Sequence, residues 1–531
     1  MNRLNYINMK MNLRRRSAKA TILMVIAMMS CVSDLDVTPI DKRFATASTV
    51  YTTTESYKAG LAKLYAAFAL TGQVGPNGAQ DVAGVDEGFS CFIRSLWYLQ
   101  EITTDEAVWT YPNDANGTIF NLHYNSWVPS DGIPTALFAR IMNVAALSNE
   151  FIRVTAAKAA AGDVTFKQFN SEARFLRALA YYHGIDLFAN MPFVTEADLP
   201  GAYFPKQAKR AEFFAYVASE LKAIKADMGA PKFEYGRADK AVCAMLLAKL
   251  YLNAEVYLGA GQKKYTEAIT EIKEVIAAGY TLSPKYANIF LADNNTNPEI
   301  VFSQNFDGAR SQAFDIVQVM VYGNAGNGGW SGLRTTSAFV NKFSTLTEAR
   351  AIFAKEDKGQ KLAMASVSTS TDGYGVFKFQ NVTSTGATPA SASTGHQDTD
   401  YPMFRLADAY LIYAEAVLRG GTGGDLTTAL NYVNAVRTRS GDVTAGNAPG
   451  AITSGQLTLD FILDERAREL YWEGHRRTDL IRFGKFTGGT YLWPWKGGVK
   501  DGVAIDDKRA IFPIPAADIG SNPNLKQNTG Y

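Results

Sequence analysis

The sequence predicts a mainly α-helical fold, built from irregular tetratricopeptide-like helical hairpins with long loop insertions and a few short strands. Amphipathic helical patterns recur along most of the 531 residues. In successive patterns, small residues on one helix alternate with large residues on the next, which is how helical hairpins of this type stack. No a/d heptad persists, so the pattern does not fit a coiled coil.

The predicted helices begin with one isolated segment and continue as groups. First helices carry Ala and Tyr at spaced positions, as in "FLRALAYY", "LLAKLYL" and "DAYLIYAEA", and the helices that follow add Ala and bulky apolar residues. Glycines close two of the segments. The helices are predicted over Tyr57–Leu70, Thr165–Ala189, Ala211–Met228, Lys240–Leu258, Tyr265–Ala278, Arg405–Leu418, Leu426–Arg439 and Leu457–Trp472.

Two long non-helical blocks interrupt the helices. The first, near residues 73–132, is rich in Asp, Gly and Asn, and the second, near 295–400, is rich in Gly, Ser and Thr. The second block contains two short β-like runs, Glu299–Ser303 and Gly375–Phe379. Because loops of this length inside a compact protein usually carry function, we expect a scaffold of helices and a site in the loops.

The N-terminus has the pattern of a secretory signal. Basic residues precede the apolar run Ala20–Met29, which is too short to span a bilayer and ends at Ser30–Cys31. A Cys after such a run resembles the lipobox of bacterial lipoproteins. We therefore predict a signal peptide over residues 1–30 and a lipidated Cys31. An ordinary signal peptide with an incidental Cys is the alternative.

The residues after Cys31 indicate where the protein is sent. Asp34 and Asp36 resemble the acidic export signal of surface lipoproteins in Bacteroidetes. No later stretch is apolar for long enough to be a transmembrane helix. We expect residues 31–531 to form one domain on the cell surface, anchored to the outer membrane by the lipid.

Composition and motifs argue against several other classes. The net charge of +2 and the lack of a basic block interleaved with aromatics are atypical of nucleic-acid binders. Three cysteines without a CxxC pair do not make a disulfide scaffold. HExxH, Walker and GxGxxG motifs are absent from the sequence, and "GGWSG" lacks the register of a nucleophile elbow.

Catalytic side chains give only weak signals. The four histidines are scattered singly, and a hydrogen-bonded structural role is favoured for each. Asp105–Glu106 and Asp464–Glu465 are carboxylate pairs of the kind glycosidases use, but adjacent side chains on a helix or strand diverge. We therefore predict that the protein is not an enzyme. A surface glycoside hydrolase is the alternative.

One loop clusters oxygen ligands suited to calcium. Asp293, Asn294 and Asn295 stand together, with Glu299 shortly after them. The spacing is not that of an EF-hand, and a plain Asx-turn loop is the favoured alternative. No other cofactor is expected.

Aromatic side chains in the loops are the clearest binding signal. Trp109 and Tyr111 lie in the first block and Trp330 lies in the second, each in or beside a Gly-, Asn- or Asp-rich setting. A protein holds a sugar by stacking a ring beneath its C–H face and hydrogen-bonding the hydroxyl rim. Planar donors and acceptors for that rim are available nearby, at Arg94, Asn113, Asp114 and Asn116.

Several long motifs resemble the SusD/RagB family of outer-membrane nutrient-uptake lipoproteins. The resemblance covers essentially the whole mature chain. "DEGFSCFIRSLW" (Asp86–Trp97) and "YLWPWKGG" (Tyr491–Gly498) are most similar to the starch-binding members. The other motifs are Ala173–Val194, Gly236–Gly259, Asp398–Gly421, Asp464–Phe486 and Phe512–Tyr531.

The resemblance implies a SusD-like α-helical fold with four tetratricopeptide-like hairpins and no catalysis. It also implies capture of starch or maltooligosaccharides and their delivery to a SusC-like TonB-dependent transporter. A SusD-like binder of a different glycan or of a peptide is the alternative.

In the starch-binding members an arc of aromatics, aided by an Arg and an Asn, cradles the curved face of an α-glucan. The resemblance assigns the Arg to Arg94 and two arc aromatics to Trp330 and Tyr111, where the family has a Trp. Trp109 keeps a flanking Trp position that is binding or structural. The Asn corresponds to Asp114 without a gap or to Asn113 with one, and the third aromatic to Phe314 or Tyr322.

Overall fold

The computed structural model describes residues 46–76, 78–111, 118–199, 201, 203–322, 332–353, 373–439 and 447–531, together with Met9 and Met11. The chain divides into two compact units, residues 1–57 and 58–531. In the first unit, the helix α1 (Ala47–Val50) follows Thr46, whose backbone N–H donates to the Thr49 hydroxyl. Cys31, the predicted lipidation site, lies outside the described residues.

The described chain after α1 is mainly α-helical, as predicted. Helices before residue 260 are α2 (Thr54–Ala66), α3 (Phe92–Trp97), α4 (Ile119–His123), α5 (Gly132–Ala160), α6 (Val164–Leu187), α7 (Arg210–Ile224), α8 (Lys240–Leu252) and α9 (Ala254–Leu258). Later helices are α10 (Tyr265–Ala277), α11 (Ile316–Tyr322), α12 (Ser337–Val340), α13 (Leu406–Leu418), α14 (Leu426–Thr438), α15 (Leu459–Leu470), α16 (Arg476–Arg482) and α17 (Ala516–Ser521).

Strands and tighter helical turns are short. The strands are β1 (Val108–Trp109), β2 (Met191–Pro192), β3 (Gln207–Ala208), β4 (Ile300–Gln304), β5 (Leu333–Arg334) and β6 (Tyr401–Arg405). A π-helical turn, Tyr98–Ile102, extends α3. The 3-10 turns are Lys225–Asp227, Tyr286–Phe290, Asn294–Thr296, Ala392–Thr394, Ser454–Gln456, Lys496–Gly498 and Asp507–Ala510.

Neighbouring helices pack as hairpins that lie side by side. The helix pairs are α5 with α6, α8 with α10, and α13 with α14. Contacts of α6 with α7 and of α10 with α13 join these pairs into one scaffold. Along α8 the side chains from Ala241 to Leu252 are buried, and the Cys243 thiol lies in the core. No helix of the described part is long and apolar enough to cross a membrane.

The long helix α5 is the main element not predicted from the sequence. Its buried stripe includes Ile133, Leu137, Ile141, Val144 and Phe151, spaced three, four or seven residues apart, which is the period of a helix. Its Pro is in the first turn, where a missing N–H is tolerated. Helix α5 packs on α6 through this stripe. The first loop block therefore ends at Gly132, where α5 begins.

Other predicted bounds shift for local reasons. The segment predicted as one helix over Lys240–Leu258 breaks at Asn253, whose side-chain amide donates to the Lys249 carbonyl. The run Gly375–Phe379 is not a strand of a sheet: it contributes one isolated bridge, between Val376 and Phe353. The run Glu299–Ser303 is confirmed as β4, which pairs antiparallel with β6.

The two loop blocks meet in a small sheet. Antiparallel pairing of β1 with β5 sets Val108 opposite Arg334 and Trp109 opposite Leu333. Strand β1 belongs to the first block and β5 to the second. Both blocks also contain short helices, α3 and α4 in the first and α11 and α12 in the second, where the sequence predicted non-helical chain.

Candidate functional site

The pairing of β1 with β5 brings two of the predicted binding segments together. The backbone N–H and the hydroxyl of Thr110 both donate to the Gly332 carbonyl, at 2.8 and 3.2 Å. Tyr111 follows Thr110 directly, and Gly332 is two residues after Trp330 in the sequence. Trp330 itself lies outside the described residues, as do Asn113 and Asp114.

Trp109 lies behind this junction as a half-buried support. A Cβ on Gly332 would lie 3.0–3.1 Å from three carbons of the indole, so the ring packs directly on that glycine. The Tyr98 ring meets the indole edge to face, with centroids 6.4 Å apart. No described residue accepts a hydrogen bond from the buried indole N–H. These contacts favour the structural role for Trp109.

His123 fixes the backbone of β1. Its Nδ1 accepts the Trp109 N–H at 3.2 Å. Burial lowers the pKa of His123 to about 3, so the imidazole is neutral and Nδ1 can accept. The histidine therefore has the hydrogen-bonded structural role predicted for it.

Arg94, in α3, is held by three protein acceptors. Its Nε donates to the Tyr98 hydroxyl at 2.9 Å, and its Nη1 donates to the carbonyls of Gly88 and Phe314 at 3.0 and 2.8 Å. The guanidinium also lies over the Tyr98 ring, 5.3 Å from its centroid. Among the described residues none accepts from Nη2. That nitrogen is the one a ligand hydroxyl could engage.

The two candidates for the third aromatic lie at either end of α11. Phe314 precedes the helix, and its carbonyl accepts the hydrogen bond from Arg94. Its half-buried ring lies 6.1 Å from the ring of His396. Tyr322 ends the helix and is half-buried. Of the two, Phe314 has the direct contact with the Arg94 group.

Tyr111 has the exposed ring among these candidate-site residues. Its side chain is 38% exposed, whereas the adjoining Thr110 is fully buried. Contacts therefore run from Phe314 through Arg94, Tyr98 and Trp109 to Gly332, and the exposed Tyr111 follows next to their end. Of these groups, the exposed Tyr111 ring can stack on a sugar ring and the Arg94 guanidinium can bind a hydroxyl.

A buried carboxylate cluster supports the chain that leads into β1. The Arg476 guanidinium donates to both carboxylate oxygens of Asp105, at 2.7 and 2.8 Å. Burial alone would raise the pKa of Asp105, but Arg476 holds it at about 2. Burial and the neighbouring Glu101 raise the pKa of Glu106 well above its ordinary value. Burial raises the pKa of Glu101 to about 7.

The carboxylate pairs considered for catalysis have protein partners. Asp105 binds Arg476, and Glu106 accepts the Trp472 N–H at 3.2 Å. Asp464 pairs with Lys342 at 2.9 Å, and the fully buried Glu465 pairs with Arg350 at 2.8 Å. Across the described ranges, no group of three or more His, Cys, Asp or Glu side chains is placed to share a metal ion.

The loop considered for calcium is hydrogen-bonded to neighbouring chain. Asp293 accepts from the backbone N–H and the hydroxyl of Ser384, at 2.8 and 2.6 Å. Asn294 is buried, and its amide both accepts from and donates to the backbone of Asp400. Asn295 is exposed, and Glu299 binds Arg405. Calcium binding by Asp293, Asn294 and Asn295 stays a prediction.

Two residues of the site were missed in the sequence. Tyr98 stands four positions after Arg94, the spacing at which side chains on a helix meet, and this spacing was a usable signal. Gly332, the last residue of "GGWSG", has no local signal because its role depends on a strand far away in the chain.

Comparison with known proteins gives the same family throughout. The model of the SusD family matches residues 354–531. The starch-binding protein SusD of Bacteroides thetaiotaomicron is 34% identical over 559 aligned residues, which cover 94% of this chain and 96% of that protein.

Solved structures with the same fold cover most of the chain. A SusD superfamily protein from Bacteroides thetaiotaomicron superposes with a TM-score of 0.71 at 18% identity, covering 90% of this chain and all of that one. Surface glycan-binding protein A from the same organism, solved with laminarihexaose, gives 0.68 at 19% identity over 90% of this chain and all of that one. The identity to SusD over nearly the full length shows that the chain belongs to the SusD family.

Proposed function

We propose that this protein captures starch and maltooligosaccharides at the cell surface and delivers them to a SusC-like TonB-dependent transporter. The observation that carries the proposal is the 34% identity to the starch-binding protein SusD across 94% of the chain. Glycan capture requires a binding surface and no reacting groups, and the exposed Tyr111 ring, supported by Trp109, is the proposed centre of that surface.

The geometry of the site supports a sugar ligand. Tyr111 offers an exposed ring, and Arg94 offers its Nη2 as a donor at the other end of the same row of contacts. Three hydrogen bonds hold Arg94 before any ligand arrives, so little conformational entropy is lost on binding. With Trp330, Asn113 and Asp114 added from the neighbouring loops, the proposed cradle has stacking faces and rim acceptors.

Starch is the proposed glycan because the relative of 34% identity, SusD, is a starch-binding protein. The difference at Tyr111 bears on this assignment. The family's starch-binding members have a Trp where this chain has Tyr111, and the smaller ring offers less stacking area. A solved relative of 19% identity binds laminarihexaose, a β-linked glucan, so linkage is the property to test first.

We propose that the protein reaches the cell surface as a lipoprotein. The basic segment, the apolar run and Cys31 support cleavage after residue 30 and lipidation of Cys31. The tethered body would then lie over the transporter, to which the helical scaffold docks. No cofactor is required for this function.

A ligand screen tests the proposal. Isothermal titration calorimetry of the chain from residue 32 would use maltoheptaose, laminarihexaose and a fructan. We expect maltoheptaose to bind and the other two to bind weakly or not at all. Binding of laminarihexaose alone would overturn the starch assignment and keep the glycan class. Binding of none would overturn glycan capture.

A second assay separates a binder from a glycosidase. The protein is incubated with amylopectin and reducing ends are measured over long times. We expect no release, since the carboxylate pairs named above are engaged by Arg476, Lys342 and Arg350. Sustained release of reducing sugar would replace the proposal with hydrolysis.

A further inference from the structure

Three aromatic side chains outside the proposed cradle form a second group at the surface. Phe120, in α4, and Tyr124, just after its end, have nearly parallel rings with centroids 6.2 Å apart and 20° between their planes. Trp495 comes from a distant loop, and its ring lies 6.4 Å from that of Tyr124. All three are half-buried. We call this group the outer platform.

The fold fixes Trp495 in an unusual backbone conformation. Its φ of +71° lies in the left-handed region, which residues with a side chain rarely adopt. Its backbone N–H donates to the carbonyls of Val499 and Lys500, at 2.9 and 3.2 Å. The Gly497 N–H donates to the Asn125 side chain, which ties the loop to the residue after Tyr124. The Trp495 position is therefore imposed by the surrounding chain.

Polar groups accompany the rings. Among the described residues none accepts from the buried indole N–H of Trp495. Lys500, whose carbonyl binds the Trp495 N–H, has an exposed side chain, as does its neighbour Asp501. Ser126, two residues after Tyr124, is exposed as well. Stacking faces with exposed hydrogen-bonding residues nearby in the chain are what the C–H face and hydroxyl rim of a sugar require.

The outer platform adjoins the proposed cradle through one hydrogen bond. Tyr124 follows His123, whose Nδ1 accepts the Trp109 N–H in β1. Helix α4 contacts β1, and its first residue is eight positions after Tyr111. The two surfaces are therefore joined through the contact of β1 with α4.

We propose that Phe120, Tyr124 and Trp495 form a second glycan-binding surface, which takes a further stretch of the polysaccharide held in the cradle. The inference rests on the proposed function. Two stacking surfaces on one body bind a long chain with an effective-concentration gain, whereas a short oligosaccharide engages only one of them. The outer platform thus selects polymer over oligomer.

The test compares a polymer with a short probe on the same protein. Dissociation constants for amylopectin come from affinity electrophoresis and those for maltotriose from calorimetry. We expect Tyr124→Ala and the double variant Phe120→Ala/Tyr124→Ala to lower the ratio of amylopectin to maltotriose affinity roughly tenfold. Tyr111→Ala should weaken both ligands. Tyr203→Ala removes an aromatic side chain that is 45% exposed in another loop and is the matched control.

The outcomes separate the two proposals. If wild type binds neither probe, the proposed function fails. If wild type binds both, and Tyr124→Ala and the double variant retain the wild-type ratio, only the outer platform is overturned. Because Tyr124 packs on Gly498, Tyr124→Leu is the second variant: it keeps apolar bulk, lacks the ring, and should show the same loss of ratio with a native melting temperature.

Discussion

The indole of Trp109 packs on the backbone of Gly332, with three ring carbons only 3.0–3.1 Å from where a Cβ would be. The residue after Trp109, Thr110, strengthens the contact: its N–H and its hydroxyl both donate to the Gly332 carbonyl. It joins two loop blocks that are far apart in the sequence, and it places the residue after Thr110 beside the chain that follows Trp330. A residue at position 332 without a side chain is thus a condition for the proposed cradle.

Gly332→Ala should therefore weaken glycan binding. The added methyl forces the large indole to move, so Tyr111 and the Trp330 segment separate. We expect maltoheptaose affinity to fall roughly tenfold, with a cost of about 1–3 kcal/mol in the free energy of unfolding, typical of overpacking. Calorimetry and urea unfolding measure the two effects. Gly450→Ala, at an exposed glycine with open space around it, is the control and should change neither.

Tyr111→Ala should abolish most oligosaccharide binding at a small cost in stability. The residue is 38% exposed, so its removal uncovers less apolar surface than the loss of a fully buried ring would. We expect affinity for maltoheptaose to fall at least roughly tenfold. Trp330→Ala should act in the same way. Unchanged affinity in both variants would show that the ligand binds elsewhere.

Tyr111→Trp tests the departure from the family's starch-binding members. A Trp offers a larger stacking face than a Tyr at the same place. If the ligand is an α-glucan, calorimetry should show maltoheptaose binding as tightly as in wild type or tighter. A loss of maltoheptaose affinity would indicate that the cradle is shaped for a different glycan.

Arg94→Lys should lower both the affinity for glycan and the thermal stability of the protein. The guanidinium joins Tyr98, Gly88 and Phe314, and a single ammonium cannot reproduce that planar fork. Loss of one such donor costs about 1–3 kcal/mol of stability, since carbonyls are left unpaired. Calorimetry should show weaker binding, and a thermal melt a lower Tm. A variant with native Tm and native affinity would remove Arg94 from the site.

Local sequence patterns predicted most helices of the scaffold. The geometry of the candidate site depends on contacts between distant segments, which such patterns do not show. Helices such as α10 and α14 follow from apolar spacing within a single segment. The resemblance of "DEGFSCFIRSLW" to family motifs pointed to Arg94 as a candidate site residue, but not to its hydrogen-bond partner Tyr98. The Trp109–Gly332 contact could not be predicted, because it depends on a pairing of two-residue strands from separate loop blocks. Helix α5 could have been predicted, because its apolar residues recur at helical spacing.

The buried Glu101 should make stability depend on pH. Burial raises its pKa to about 7, above the ordinary value of 4.5, while its carboxylate accepts the N–H groups of Gly474 and His475. Between these two values the folded state binds more protons than the unfolded state, so this group's contribution is full below pH 4.5 and is lost as pH rises through 7. The loss is on the order of 3 kcal/mol.

Glu101→Gln isolates this contribution. The amide oxygen can still accept from Gly474 and His475, but it carries no charge at any pH and faces Glu106 without repulsion. Other groups titrate in the same range, since burial also raises the pKa of Asp315 and Asp400 to about 7. The measurement is therefore the difference between variant and wild type in urea unfolding at pH 5 and pH 8. We expect the variant to gain stability relative to wild type at pH 8. An equal difference at both values would mean that Glu101 keeps one protonation state throughout, and that its neighbours carry the pH dependence of the segment leading into β1.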